Sequence, residues 1–147
     1  MFRRLIETWP TWAALPLRVA LGLVFIAHGA QKVFGVWGGA GLAKYTAGEP
    51  PFGWMQPGWL WLYAAAFAEL VGGVLVLLGL LTRLGALVIV PVMLVAIFGV
   101  HWGAFFMSAR GIEFALTLLM VALALLILGG GRASLDEALM GPRGRRR

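Results

Sequence analysis

Cysteine is absent from the chain. That excludes disulfides, thiol nucleophiles and cysteine-held metal or iron–sulfur centres within it. Charge is scarce as well: 12% of the residues are Asp, Glu, Lys or Arg, against roughly 25% in an ordinary soluble domain. With 61% hydrophobic residues, the chain is expected to be an integral membrane protein. Its length suits one domain, residues 1–147. The net charge of +6 does not point to nucleic acid, because no soluble domain carries it. Basic residues gathered at cytoplasmic membrane ends account for it.

Four apolar runs are present. A spanning helix needs about 20 mostly apolar residues, and the candidates are residues 17–34, 59–81, 84–106 and 111–128. Arg3 and Arg4 before the first run resemble a signal peptide, but no clean small-residue cleavage site follows, so an uncleaved span is expected. Thr82-Arg83 is the only break between the second and third runs, which forces an antiparallel hairpin. Pro91 is expected to bend the third. Between the first two runs lies a stretch rich in Gly, Pro and Trp, where Gly41 to Ala47 can form a short interfacial helix. Gly129-Gly130-Gly131 stops the fourth run, and Ser134 is placed to cap a terminal helix ahead of Asp136 and Glu137. The fold class expected is all-α: an antiparallel four-transmembrane-helix bundle with a basic tail over 132–147.

Orientation follows from the basic residues. With both termini inside, the inner side holds Arg3, Arg4, Arg18, Arg83, Arg132, Arg143, Arg145, Arg146 and Arg147. The outer side holds Lys32, Lys44 and Arg110. That bias predicts cytoplasmic termini in a bacterial or archaeal inner membrane. Arg18 and Arg83 are expected to snorkel to phosphates at the inner surface.

Six polar side chains lie inside the apolar runs: His28, Gln31, Lys32, Glu69, His101 and Glu113. An ionisable group in hydrocarbon costs roughly 2.5–3.5 kcal/mol on insertion scales, so each needs a partner or a purpose. At 1.5 Å per residue they fall about 16–26 Å above the inner helix ends, in the outer half of a bilayer whose hydrocarbon is about 30 Å thick. His28, Gln31 and Lys32 stand at i, i+3 and i+4, on one helix face. Two readings stay open. The six line a polar pocket, or an ion-pair lattice of Lys32 with Glu69 or Glu113 locks the helices. Small residues beside them, among them Gly22, Gly29, Gly72 and Gly73, permit close helix approach; Gly29, Gly72 and Gly73 are expected to leave room for a ligand. Axial haem ligation by His28 and His101 is a minor alternative, since nothing else in the sequence asks for haem. No other metal site is indicated.

The motifs resemble a known family. Arg18 followed by Gly22, Phe25, His28-Gly29, Gln31-Lys32 and Phe34-Gly35 is similar to the opening motif of the DoxX family of small bacterial and archaeal membrane proteins. Glu69-Leu70-Val71-Gly72-Gly73 and Leu78-Gly79-Leu80-Leu81-Thr82-Arg83 resemble its second motif. Gly111-Ile112-Glu113 and Gly129-Gly130-Gly131-Arg132-Ala133-Ser134-Leu135-Asp136 resemble its last. The resemblance implies four transmembrane helices. It also implies association with redox membrane complexes: some relatives are named as subunits of thiosulfate:quinone oxidoreductase or of a terminal quinol oxidase, others sit in complexes that handle oxidative or thiol stress.

The leading expectation is a membrane subunit of a quinone- or sulfur-compound-linked redox complex, acting with a redox partner protein or as a homo-oligomer. His28 and Glu69 would exchange protons, Gln31 and Lys32 would hold a quinone carbonyl or small anion, and His101 and Glu113 would line the mouth. A neutral histidine passes protons near physiological pH. The alternatives are a non-enzymatic scaffold or oligomerisation module, and a small-solute transporter working as a homo-oligomer.

Overall fold

The structure, a computed structural model, describes residues 6–140. Arg3, Arg4, Arg143, Arg145, Arg146 and Arg147, six of the nine basic residues expected on the inner side, lie outside the described residues. Among the described residues there are helices and no strand. They are α1 (Ala14–Phe34), α2 (Leu42–Thr46), α3 (Gly58–Leu78), α4 (Thr82–Val95), α5 (Glu113–Leu128) and α6 (Leu135–Met140). α4 runs on through a π-helical turn, Ala96–Val100. Three stretches are long and apolar enough to cross a membrane: α1, α3 and Thr82–Val100. α5 is as apolar but has 16 residues.

Helix ends differ from the expected ones for local reasons. α1 starts at Ala14 because Pro16 falls in its first turn, where a missing N–H leaves nothing unpaired. α3 stops at Leu78 because Gly79 turns left-handed at φ 67° and closes the helix. The third apolar run does not reach residue 106 as a regular helix. His101 N–H bonds back to Ala96 O at 2.9 Å, the signature of the π turn, and residues 101–112 then form a turn-rich connection. The short helix between α1 and α3 is present as α2.

α1 packs most extensively on α3, α3 on α4, and α4 on α5; α5 also touches α1. Buried Leu21, Phe25, Val76, Ile89, Ala122 and Leu125 fill the space between them. Close approach of α1 and α3 depends on glycine. A Cβ at Gly29 would lie 2.5 Å from Leu70 N, and one at Gly73 would lie 2.8 Å from Ile26 N. Gly29 and Gly73 therefore admit a neighbouring backbone and leave no room for a ligand, which corrects the sequence expectation.

One end of the molecule is tied by polar groups. Trp9 N–H bonds to Leu128 O at 2.9 Å and Arg132 N–H to Thr11 O at 2.9 Å, so the two ends of the described chain meet there. Arg18 is 3% exposed. Its guanidinium donates to Val76 O (3.1 Å), Leu77 O (2.9 Å), Gly130 O (3.0 Å) and Ala133 O (3.1 Å). Last-turn carbonyls lack the usual i+4 donor; Val76 O also takes the capping Gly79 N–H at 3.1 Å, and a cation placed there suits the helix dipole. Arg18 thus does not snorkel to phosphates. Arg83 also turns to protein, donating to Ile127 O at 3.0 Å at the end of α5. Asp136, 1% exposed, completes the knot by accepting from Leu81 N (2.7 Å), Thr82 N (2.9 Å) and Thr82 Oγ1 (2.7 Å). Ser134 Oγ caps α6 as expected, accepting from Glu137 N at 3.1 Å.

All seven tryptophans are exposed. Trp9 and Trp12 lie by the knotted end, and the other five lie on or beside the connections at the far end of the helices. Two such girdles match the aromatic belts of membrane–water interfaces.

Candidate functional site

The ion pair expected from the sequence is present, and it chooses one of the two candidate acids. Lys32 Nζ meets Glu69 Oε1 across the α1–α3 contact. Lys32 stands in the last turn of α1, where a cation is favoured by the helix dipole. Glu69 stands in the middle of α3. The Lys32 side chain keeps 24% exposure and that of Glu69 only 5%. Tyr45, carried by α2, places its ring 5.3 Å from Lys32 Nζ in cation–π geometry. α2 is held where it is because Gly41 N–H folds back to Gln31 O at 3.2 Å, at the end of α1.

Only half of the Glu69 carboxylate is used. Oε2 is buried without a hydrogen-bond partner. An unpaired buried polar group costs about 1–3 kcal/mol, more when charged. Glu69 also lines a cavity of about 440 Å³, within the range of roughly 300–1,000 Å³ seen for small-molecule sites. Lys32, Tyr45, Glu49 and Glu69 are its polar members. The rest is apolar: Leu62, Ala65 and Ala68 from α3, Val88, Val92 and Val95 from α4, and Pro50, Pro51 and Met55 from the connection above.

The Tyr45 phenol is pushed up to about 12, first by burial and then by the negative charge of Glu69. It therefore stays a protonated donor throughout the physiological range. An ammonium, a phenol and a carboxylate with one free oxygen thus surround one end of an apolar cavity. Such a set can donate to a carbonyl and accept from a hydroxyl on the same small head group.

The other predicted site residues stand elsewhere. His28 is exposed on α1 and is not among the cavity residues. Gln31 Nε2 points to Trp37 O at 3.5 Å and ties the end of α1 to the turn that follows it. His101 Nδ1 lies 2.8 Å from Arg110 O. Glu113 accepts from Met107 N–H. These last two brace the connection between α4 and α5 and do not reach Lys32. Sequence reasoning does not single out Tyr45. The available signal was its place on a short helix directly after the lysine-bearing one, which returns the chain over that lysine.

Comparison with known proteins gives the following. The family model described as DoxX matches residues 13–102. A Bacillus subtilis (strain 168) protein named "Putative oxidoreductase CatD" is 32% identical over 117 residues, 76% of each chain. A Haemophilus influenzae (strain ATCC 51907 / DSM 11121 / KW20 / Rd) protein named "Uncharacterized protein" is 31% identical over 129 residues, 82% of this chain and 86% of that one. No solved structure matches significantly.

Proposed function

From the premise that the chain belongs to the DoxX family, we propose that it is the membrane subunit of a redox-associated complex, binding a quinone-type or small sulfur-compound head group at Lys32, Glu69 and Tyr45. The observation that carries this reading is that Glu69 keeps an unpartnered oxygen and lines a cavity of about 440 Å³. A lattice serving only to pack helices would have no reason to leave either. The similarity to a protein named as an oxidoreductase supports the redox setting.

In this reading all four long helices cross the inner membrane as an antiparallel bundle, with the Arg18–Asp136 end at the cytoplasm. Glu69 gives or takes the head-group proton. Lys32 and Tyr45 hold its carbonyl or anionic oxygen. This chain has no cysteine, so any thiol relay in the reaction uses a partner's sulfur. His28 faces outward, where it can meet that partner, while Gln31, His101 and Glu113 support the outer connections.

The test is thermal unfolding of the purified protein with a ubiquinone or menaquinone analogue, and separately with thiosulfate. A ligand at one hundred times its Kd stabilises by about 2.7 kcal/mol. At least one candidate should raise the midpoint, and Glu69→Gln should abolish the rise without changing helix content. If none shifts the wild-type protein, the scaffold reading replaces this one.

A further inference from the structure

The shape and chemistry of the cavity define its ligand more closely. α3 and α4 approach closely where Gly72 faces Gly85: a Cβ on Gly72 would lie 3.2 Å from Gly85 O. From that contact towards the far end the cavity opens between the two helices, with Ala68 and Ala64 on one wall and Val88, Val92 and Pro91 on the other. Ala64 and Pro91 line it and are also exposed. The mouth therefore opens sideways, between two helices that are each long and apolar enough to cross a membrane. Its outer end is roofed. The Pro51-Phe52 segment sits on the π turn, where a Cβ added at Gly99 would lie 2.7 Å from Pro51 Cβ and 3.0 Å from the Phe52 ring.

Charge narrows the head group. One ammonium (Lys32) stands with two carboxylates (Glu49 and Glu69) around the cavity, so the site offers an oxyanion no net positive field. An ionised carboxylate can only accept, and the free Glu69 oxygen asks for a donor. The terminal torsion of Glu is soft, so one oxygen can turn towards the cavity while the other keeps Lys32.

We propose that the cavity takes a single-tailed, lipid-dissolved amphiphile through the α3–α4 seam, and holds it by a head-group O–H donated to Glu69. This rests on the reading that the cavity is a ligand site. It adds to that reading the donor requirement, the sideways entry and the exclusion of oxyanions.

The experiment uses the full chain in phosphatidylcholine nanodiscs, whose lipids offer no O–H donor. Binding is followed by quenching of tryptophan fluorescence and by the unfolding midpoint. The probes are 4-dodecylphenol, 4-dodecylanisole, phenol, a ubiquinone analogue and thiosulfate. Dodecylphenol should bind about tenfold or more tightly than dodecylanisole, which keeps the shape but lacks the donor. Phenol without its tail should bind weakly, and thiosulfate should not displace dodecylphenol. Ala64→Phe, at an exposed position that can accept bulk, should abolish dodecylphenol binding by closing the mouth. The paired variant Lys32→Met with Glu69→Leu, which leaves no unpaired charge, should reduce the phenol-to-anisole ratio to about one. Equal binding of the two dodecyl probes, or full binding to Ala64→Phe, overturns the proposal. A quinone analogue or thiosulfate that binds dependent on Glu69 while dodecylphenol fails sinks this proposal and leaves the redox reading standing. Failure of every probe removes both.

Discussion

Asp136 holds Thr82 by its backbone N–H and its hydroxyl at once, at 2.9 and 2.7 Å, from 54 residues further along the chain. The carboxylate also takes Leu81 N–H at 2.7 Å. It serves as the N-cap that α4 lacks locally: Leu81 sits left-handed at φ 48° and its side chain has no oxygen to offer.

Removing that cap should be costly in steps. Asp136→Ala leaves two N–H groups and a hydroxyl unpaired, each buried one worth about 1–3 kcal/mol. Asp136→Asn keeps one acceptor oxygen and should fall between the variant and wild type. Thr82→Val should cost about 1 kcal/mol. Unfolding midpoints in detergent check the ranking. Equal midpoints for the Ala and Asn variants would remove the capping role.

The Lys32–Glu69 pair predicts strong coupling. Breaking a buried pair costs about 3–5 kcal/mol, and the 24% exposure of Lys32 puts this one towards the low end. Lys32→Met and Glu69→Gln should each destabilise more than half as much as the two combined. Lys32→Met with Glu113→Gln should be additive, because Glu113 is spent on Met107 N–H. A double-mutant cycle on unfolding free energies measures both.

Gly29→Ala should push α1 from α3. Its methyl group would lie 2.5 Å from Leu70 N and 2.7 Å from Leu70 Cα, both backbone atoms that cannot swing aside. A loss of about 1–3 kcal/mol is expected from overpacking. Gly53→Ala, where a Cβ meets nothing within 4 Å, is the control and should leave the midpoint near wild type.

Tyr45 should titrate late. Its ordinary value is 10 and the folded value about 12, so its folded form binds the proton more tightly than the unfolded form. The resulting stabilisation is complete below pH 10 and is lost as pH rises through about 12. Subtracting the alkaline absorbance titration of Tyr45→Phe from that of the wild type should isolate a phenolate signal near pH 12. A signal centred at pH 10 would contradict the burial of Tyr45 beside Glu69.

Orientation can be read with single cysteines, since the chain has none of its own. Ala47→Cys should react with an impermeant thiol reagent in intact cells, and Ala138→Cys only after lysis. The reverse pattern would place the Arg18–Asp136 end outside.

Much of the frame was legible because hydropathy and helix breakers act locally. Gly129-Gly130-Gly131 marks the end of the fourth run and Ser134 caps the helix it precedes, whereas Gly79 resembles the glycines inside the helices and its left-handed turn does not show in the hydropathy. Lys32 with Glu69 was legible as one of two pairings, since a buried cation must find an anion. The choice between Glu69 and Glu113 was not, because it depends on which helix packs on α1. His28 shares a face with Lys32 by spacing, but the long lysine side chain can swing to α3 while the short imidazole stays where α1 points it. Depth alone sends Arg18 to the inner-surface phosphates. Its partners are carbonyls at 76, 77, 130 and 133, and main-chain acceptors leave no trace in a sequence pattern.

Those partners impose an order on biosynthesis. The ribosome delivers α1 first, yet two of the carbonyls that satisfy Arg18 belong to Gly130 and Ala133, among the last parts of the described chain to be made. Until then the first helix carries an arginine whose final surroundings do not exist. The opening helix is thus completed by the closing segment. A nascent chain stopped before residue 130 would hold the Arg18 guanidinium by the Val76 and Leu77 carbonyls alone, half of its final set.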